Sequence, residues 1–141
     1  MKKGRIIAAL CVVVVAVAVF VFFRSMKIIP EKYAVGSRDE YAEDTLVLDS
    51  VSYGNIDITE NVDEGTFIEI LSRYKCRRSF GNPFPYPIDE TGWHIVLTHN
   101  NDFYRIVLGA EKNFMYFSKN DLFIYKIINP EALMAELEAL I

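Results

Sequence analysis

WHIVLTHNNDFYRIVL, residues 93–108, is two alternating runs around a polar turn. In the first run Trp93, Ile95, Leu97 and His99 fall on one face, as the two-residue period of a strand requires. Asn100-Asn101-Asp102 reverses the chain into 103–108 (FYRIVL), so the stretch predicts a β-hairpin. After Gly109–Asn113 the pattern repeats: 114–117 (FMYF) and 122–128 (LFIYKII) read as a second hairpin closed by Ser118-Lys119-Asn120-Asp121. Upstream, 46–53 (LVLDSVSY) and Ile56-Asp57-Ile58 suit strands, with Gly54-Asn55 as a tight turn or bulge.

Two segments carry the helical period instead. Phe67, Ile70, Leu71 and Tyr74 form one apolar stripe at i, i+3, i+4 and i+7. Asn61 or Asp63 supplies the cap and Glu64 a negative charge at the N-terminus, while Arg73, Lys75, Arg77 and Arg78 suit the C-terminus. Asn129-Pro130-Glu131 starts a terminal helix, with Leu133, Leu137 and Leu140 as its buried stripe. The expected fold is α+β: an antiparallel sheet of four to five strands, order β-α-β-β-β-β-α, with two helices packed on one face. Residues 46–141 form this domain.

Residues 6–23 (IIAALCVVVVAVAVFVFF) are eighteen apolar residues without a charge. As a helix they span about 27 Å, enough for the hydrocarbon core of a bilayer. Mean hydropathy over the chain is +0.17, and this run accounts for the excess. Lys2, Lys3 and Arg5 form a basic tail over 1–5, and Arg24 and Lys27 follow the run, where long cationic side chains reach the interface. Ala16-Val17-Ala18 fits a signal-peptidase pattern, but the apolar Val19–Phe23 that follows favours an uncleaved signal anchor. Cys11 lacks the small residue before it that a lipoprotein needs and reads as a small hydrophobe in the span. The signal-anchor layout places the C-terminal domain on the extracytoplasmic side. Residues 24–45, with Pro30, Gly36 and mixed charge, read as a juxtamembrane linker. The layout is broadly similar to small single-span proteins of Gram-positive bacteria, a likeness that transfers no site.

Charge is divided as sharply as hydropathy. All 19 acids lie beyond residue 30 together with only ten of the 15 bases, so the net −4 resolves into +5 before residue 31 and −9 after it. An acidic exposed portion disfavours nucleic acid as a partner. Cys76, the only cysteine outside the span, excludes an intramolecular disulfide in the domain, and its basic neighbours would lower its pKa if it were exposed. His94 and His99 lie five apart on one strand and so on opposite faces, which separates them as metal ligands. No Gly-x-Ser-x-Gly, His-Glu-x-x-His, phosphate loop or EF-hand spacing occurs, so no catalytic residue, cofactor or metal is expected.

The most distinctive stretch is 77–91 (RRSFGNPFPYPIDET). Pro83, Pro85 and Pro87 alternate with Phe84 and Tyr86, and prolines limit the freedom of the unbound chain. Arg77, Arg78, Phe84 and Tyr86 are therefore candidates for contact with a partner, set against the plainer role of a lid over the core. The function expected is a membrane-anchored module that binds a protein partner, in an inhibitor, immunity or envelope-accessory role. The alternatives are a ligand sensor with an apolar pocket between sheet and helices, or an enzyme using Cys76 or a histidine.

Overall fold

A computed structural model describes residues 2–30, 34–35, 45–81, 92–119 and 123–141. The apolar run lies in helix α1 (Lys2–Phe22). Nine strands follow among the described residues: β1 (Ser25–Lys27), β2 (Ala34–Val35), β3 (Thr45–Tyr53), β4 (Ile56–Asp57), β5 (Lys75–Phe80), β6 (Trp93–His99), β7 (Asp102–Leu108), β8 (Asn113–Phe117) and β9 (Phe123–Ile127). Helix α2 (Glu64–Arg73) separates β4 from β5, and α3 (Pro130–Glu138) follows β9.

Both hairpins form. β6 pairs with β7 from Trp93↔Leu108 to His99↔Asp102, and Asn100 takes the turn at φ 55°, a left-handed conformation that Asn tolerates better than most residues. β7 pairs with β8 and β8 with β9, all antiparallel. Eight strands lie in the order β1-β5-β9-β8-β7-β6-β3-β2, and β4 pairs with β3 beside that path. Among the described residues only the short β2–β3 contact is parallel.

The α+β class and the antiparallel character hold, but the strand number and order differ from the expected four to five strands in β-α-β-β-β-β-α. Two additions, β1 and β2, are three and two residues long, too short to carry an alternation signal. The third, β5 (KCRRSF), has basic residues at three of six positions, which reads as a charged helix end. Instead α2 stops at Arg73, and Tyr74 turns extended (φ −96°, ψ 159°) with its N–H donating to the Leu71 carbonyl. The chain therefore crosses the sheet through α2, from β3 near one edge to β5 near the other.

Sheet register fixes the two faces. Leu48, Val51, Trp93, Ile95, Leu97, Ile106, Leu108, Met115, Ile127 and Cys76 point to one side, where Phe67, Ile68, Ile70 and Leu71 of α2 and Leu133 and Leu137 of α3 cover them. Ile28 and Ile29, within the stretch read as linker, are only 1% and 5% exposed in this core. The Ile28 N–H donates to the Tyr74 carbonyl at 3.1 Å, so the chain enters the domain directly after α1. The opposite face holds a smaller cluster of Val107, Phe114 and Tyr116 with Phe103 and Ile124 against it.

Polar contacts fix the helices. Asp63 caps α2 by accepting from the Thr66 N–H at 2.8 Å, which holds its carboxyl below the usual range. Glu64, in the first turn, accepts from the Leu48 N–H at 3.1 Å beside the irregularity between Leu48 and Ser50. That bond joins the start of α2 to β3 at the bulge. Tyr74 donates its hydroxyl to Glu136 at 2.6 Å, and Arg73 pairs with the same carboxylate at 2.9 Å, which ties α2 to α3. Asn129 enters α3 in the left-handed region (φ 55°) without a side-chain cap bond, and Pro130 opens the helix.

Candidate functional site

Of the four interaction candidates, Phe84 and Tyr86 lie outside the described residues. Arg77 and Arg78 stand in β5, not in a loop, paired with Lys126 and Tyr125 of β9. Adjacent strand positions face opposite ways, so the two side chains leave β5 on opposite faces, although both residues border the smaller groove described below.

Arg78 faces the helix-bearing side at the border of the sheet, where α1 ends. Its guanidinium carbon lies 4.4 Å from the centroid of the Phe22 ring, and 5.8 Å from those of Phe123 and Tyr125. These distances place the cation on three ring faces. The rings also pack on each other: Phe22 against Phe123 at 5.0 Å, Phe80 against Phe123 at 5.2 Å, Phe23 against Phe80 at 5.8 Å. Arg78 Nε is buried with no hydrogen-bond partner among the described residues. Phe80 remains 69% exposed despite its contacts. Beside this cluster runs a groove of about 710 Å³, lined by Val13, Val14, Val17, Ala18, Val21 and Phe22 of α1 and closed by Arg24, Met26 and Arg78.

Arg77 faces the other side. With Arg78, Ser79, Lys126, Ile127 and Ile128 it lines a groove of about 290 Å³. No carboxylate among the described residues pairs with Arg77 or Lys126, so the groove is cationic in a domain whose overall charge is negative. Nothing in the residue pattern announced Lys126 as Arg77's neighbour, because their pairing depends on β5 joining β9 across 49 positions of sequence.

The histidines take opposite faces of β6, opposite Val107 and Asp102 of β7. Burial, and secondarily the positive charge of Arg105, push the His94 imidazole below its ordinary pKa. Cys76 is fully buried against the core, and burial pushes its thiol up to about 12, so at neutral pH it is protonated and enclosed. In a Cys11→Ser background, Cys76 is accordingly expected to resist a neutral maleimide at pH 7 in the native protein and to react once denaturant unfolds the domain. Rapid native labelling would contradict the placement of Cys76. Among the described residues no three His, Cys, Asp or Glu side chains gather into a metal-ligand set.

These features define a class: a small α+β domain carried directly behind one N-terminal apolar helix of transmembrane length. Lys3–Phe22 has a mean hydropathy of 2.9 and is unburied by the rest of the chain, which fits a membrane span or a signal sequence. Compared with known protein families, curated proteins and solved structures, the chain finds no match.

Proposed function

We propose that the chain is a membrane-anchored interaction module whose α+β domain lies on the extracytoplasmic side and acts by contact with a protein partner. The observation that carries this reading is the cationic groove of Arg77, Ser79 and Lys126, set in an acidic domain. Local charge opposite to the domain average selects where an acidic segment of a partner docks and how it is oriented. β5 also leads in sequence toward Phe84 and Tyr86, aromatic residues of the type that dominates contact energy at interfaces. The ligand-sensor reading is the weaker one: Phe67, Trp93, Leu133 and Leu137, large side chains each at most 1% exposed, pack between sheet and helices.

The test is in-cell crosslinking and affinity capture of the full chain. Arg77→Glu with Lys126→Glu, and separately Phe84→Ala with Tyr86→Ala, are expected to remove the partner captured by the wild type. An unchanged set of partners in both variants overturns the proposal. Protease treatment of intact cells is expected to digest the domain, and full protection would overturn the extracytoplasmic placement.

A further inference from the structure

The apolar wall of the groove at the anchor runs from Val13 to Phe22. Nine helical steps cover about 14 Å, and half of a hydrocarbon core of about 30 Å is about 15 Å. The groove thus has the length of one bilayer leaflet. At the end nearest the domain stand two guanidiniums, Arg24 at the end of α1 and Arg78 on β5. Acyl chain along the valines and phosphate at the arginines is the arrangement of a phospholipid in that leaflet.

Three further features agree. Arg78 Nε is buried without a hydrogen-bond partner among the described residues, and an arginine fork is suited to binding phosphate oxygens in pairs. Phe22, Phe23, Phe80 and Phe123 surround it, an apolar collar at the level where the span meets water. No carboxylate among the described residues pairs with Arg78 or Arg24, so an incoming anion displaces no internal ion pair.

We infer that the cleft between α1 and β5 is a binding site for one anionic phospholipid of the membrane that α1 crosses, its headgroup phosphate held by Arg78 and Arg24. The inference rests on the reading of α1 as an uncleaved span. A lipid bound there bridges the anchor and the sheet, and so fixes how the domain sits on the membrane. Net negative headgroups are favoured over zwitterionic ones because two cations face the phosphate and no acid among the described residues pairs with either to answer a choline or an ethanolamine.

Native mass spectrometry of the full chain released from nanodiscs of equal phosphatidylglycerol and phosphatidylcholine reads this directly. The wild type is expected to retain one phosphatidylglycerol. Arg78→Gln and Arg24→Gln each weaken its retention about tenfold, the effect of losing one charge-assisted contact to phosphate. Lys75→Gln, which removes an equal charge from the same strand outside the groove, leaves retention unchanged. Excess inorganic phosphate does not displace the lipid, whereas displacement would mean a site for free phosphate and overturn the proposal. Equal retention of the two lipids, or retention unaffected by Arg78→Gln, also overturns it. Cys76 protection from maleimide in each variant shows that the fold is intact. Carbonate extraction of the membranes separates the two premises: a chain released by carbonate sinks the anchor reading itself, while an integral chain without lipid preference sinks only the site.

Discussion

Phe67→Ala is expected to destabilise the α+β domain by about 3–5 kcal/mol, lowering the urea midpoint by about 2 M. Phe67 is wholly buried on α2, its ring centroid 5.9 Å from that of Trp93. Trp93 is in turn packed edge-on by Tyr53 at 5.0 Å. Truncation removes the ring's transfer free energy and leaves a void that α2 cannot fill, because Glu64 ties its start to β3 and Tyr74 and Arg73 tie its end to α3. A domain of this size has about 5–15 kcal/mol in all, so the variant gives up a large share of its stability. Trp93 is the only tryptophan, and its fluorescence reports this domain alone in detergent-solubilised full chain. A midpoint within about 0.3 M of the wild type would show that α2 does not close the core.

The same helix shows which parts of the fold were legible in the sequence. Its stripe of Phe67, Ile70 and Leu71 is buried as the 3.6-residue period required, and the period-two alternation of 93–108 is realised in the β6–β7 hairpin. Where one face is buried and the other is not, periodicity records the environment residue by residue. It failed where that contrast is missing. In β5, Cys76 is enclosed while Arg78, on the same face, lies at the rim over Phe22 and Tyr125, so the pattern along the strand mixes core and interface. β1 and β2 consist of so few residues that their pairing is set by the neighbours they add to, not by their own composition.

The candidate site was legible only as residue types. Two adjacent arginines in a stretch rich in aromatics suggested contact with a partner. Their assignment to separate faces follows from β5 being a strand, where the local composition predicts a helix end and a loop. Lys126 and Arg24 entered the two grooves through tertiary pairing alone, β5 with β9 and α1 with the border of β5. No local pattern encodes contacts of that range.

A fragment beginning at residue 46 is expected not to fold, whereas one beginning at Arg24 folds. The composition of 24–45 marks it as a linker, and a linker can be cut away without cost. Ile28 and Ile29, however, are core residues at 1% and 5% exposure, and truncating a buried Ile costs about 2–5 kcal/mol. Their joint loss, about 4–10 kcal/mol, matches the whole stability expected of the domain. Removing β1 also strips the Ser25–Lys27 pairing from β5 and takes Met26 away from its partner Cys76. The Tyr74 carbonyl then loses its bond from the Ile28 N–H at the point where α2 passes into β5, the junction on which the sheet order depends. Circular dichroism and Trp93 emission of residues 24–141 are expected to show a cooperative urea transition, while residues 46–141 give none and label at Cys76 without denaturant. Equal midpoints for the two fragments would mean that the sheet is complete without β1. If the shorter fragment fails as expected, residues 24–30 belong to the folded domain. The strand that begins three residues after α1 is then part of the sheet, and the place of the domain relative to α1 is set by its own core.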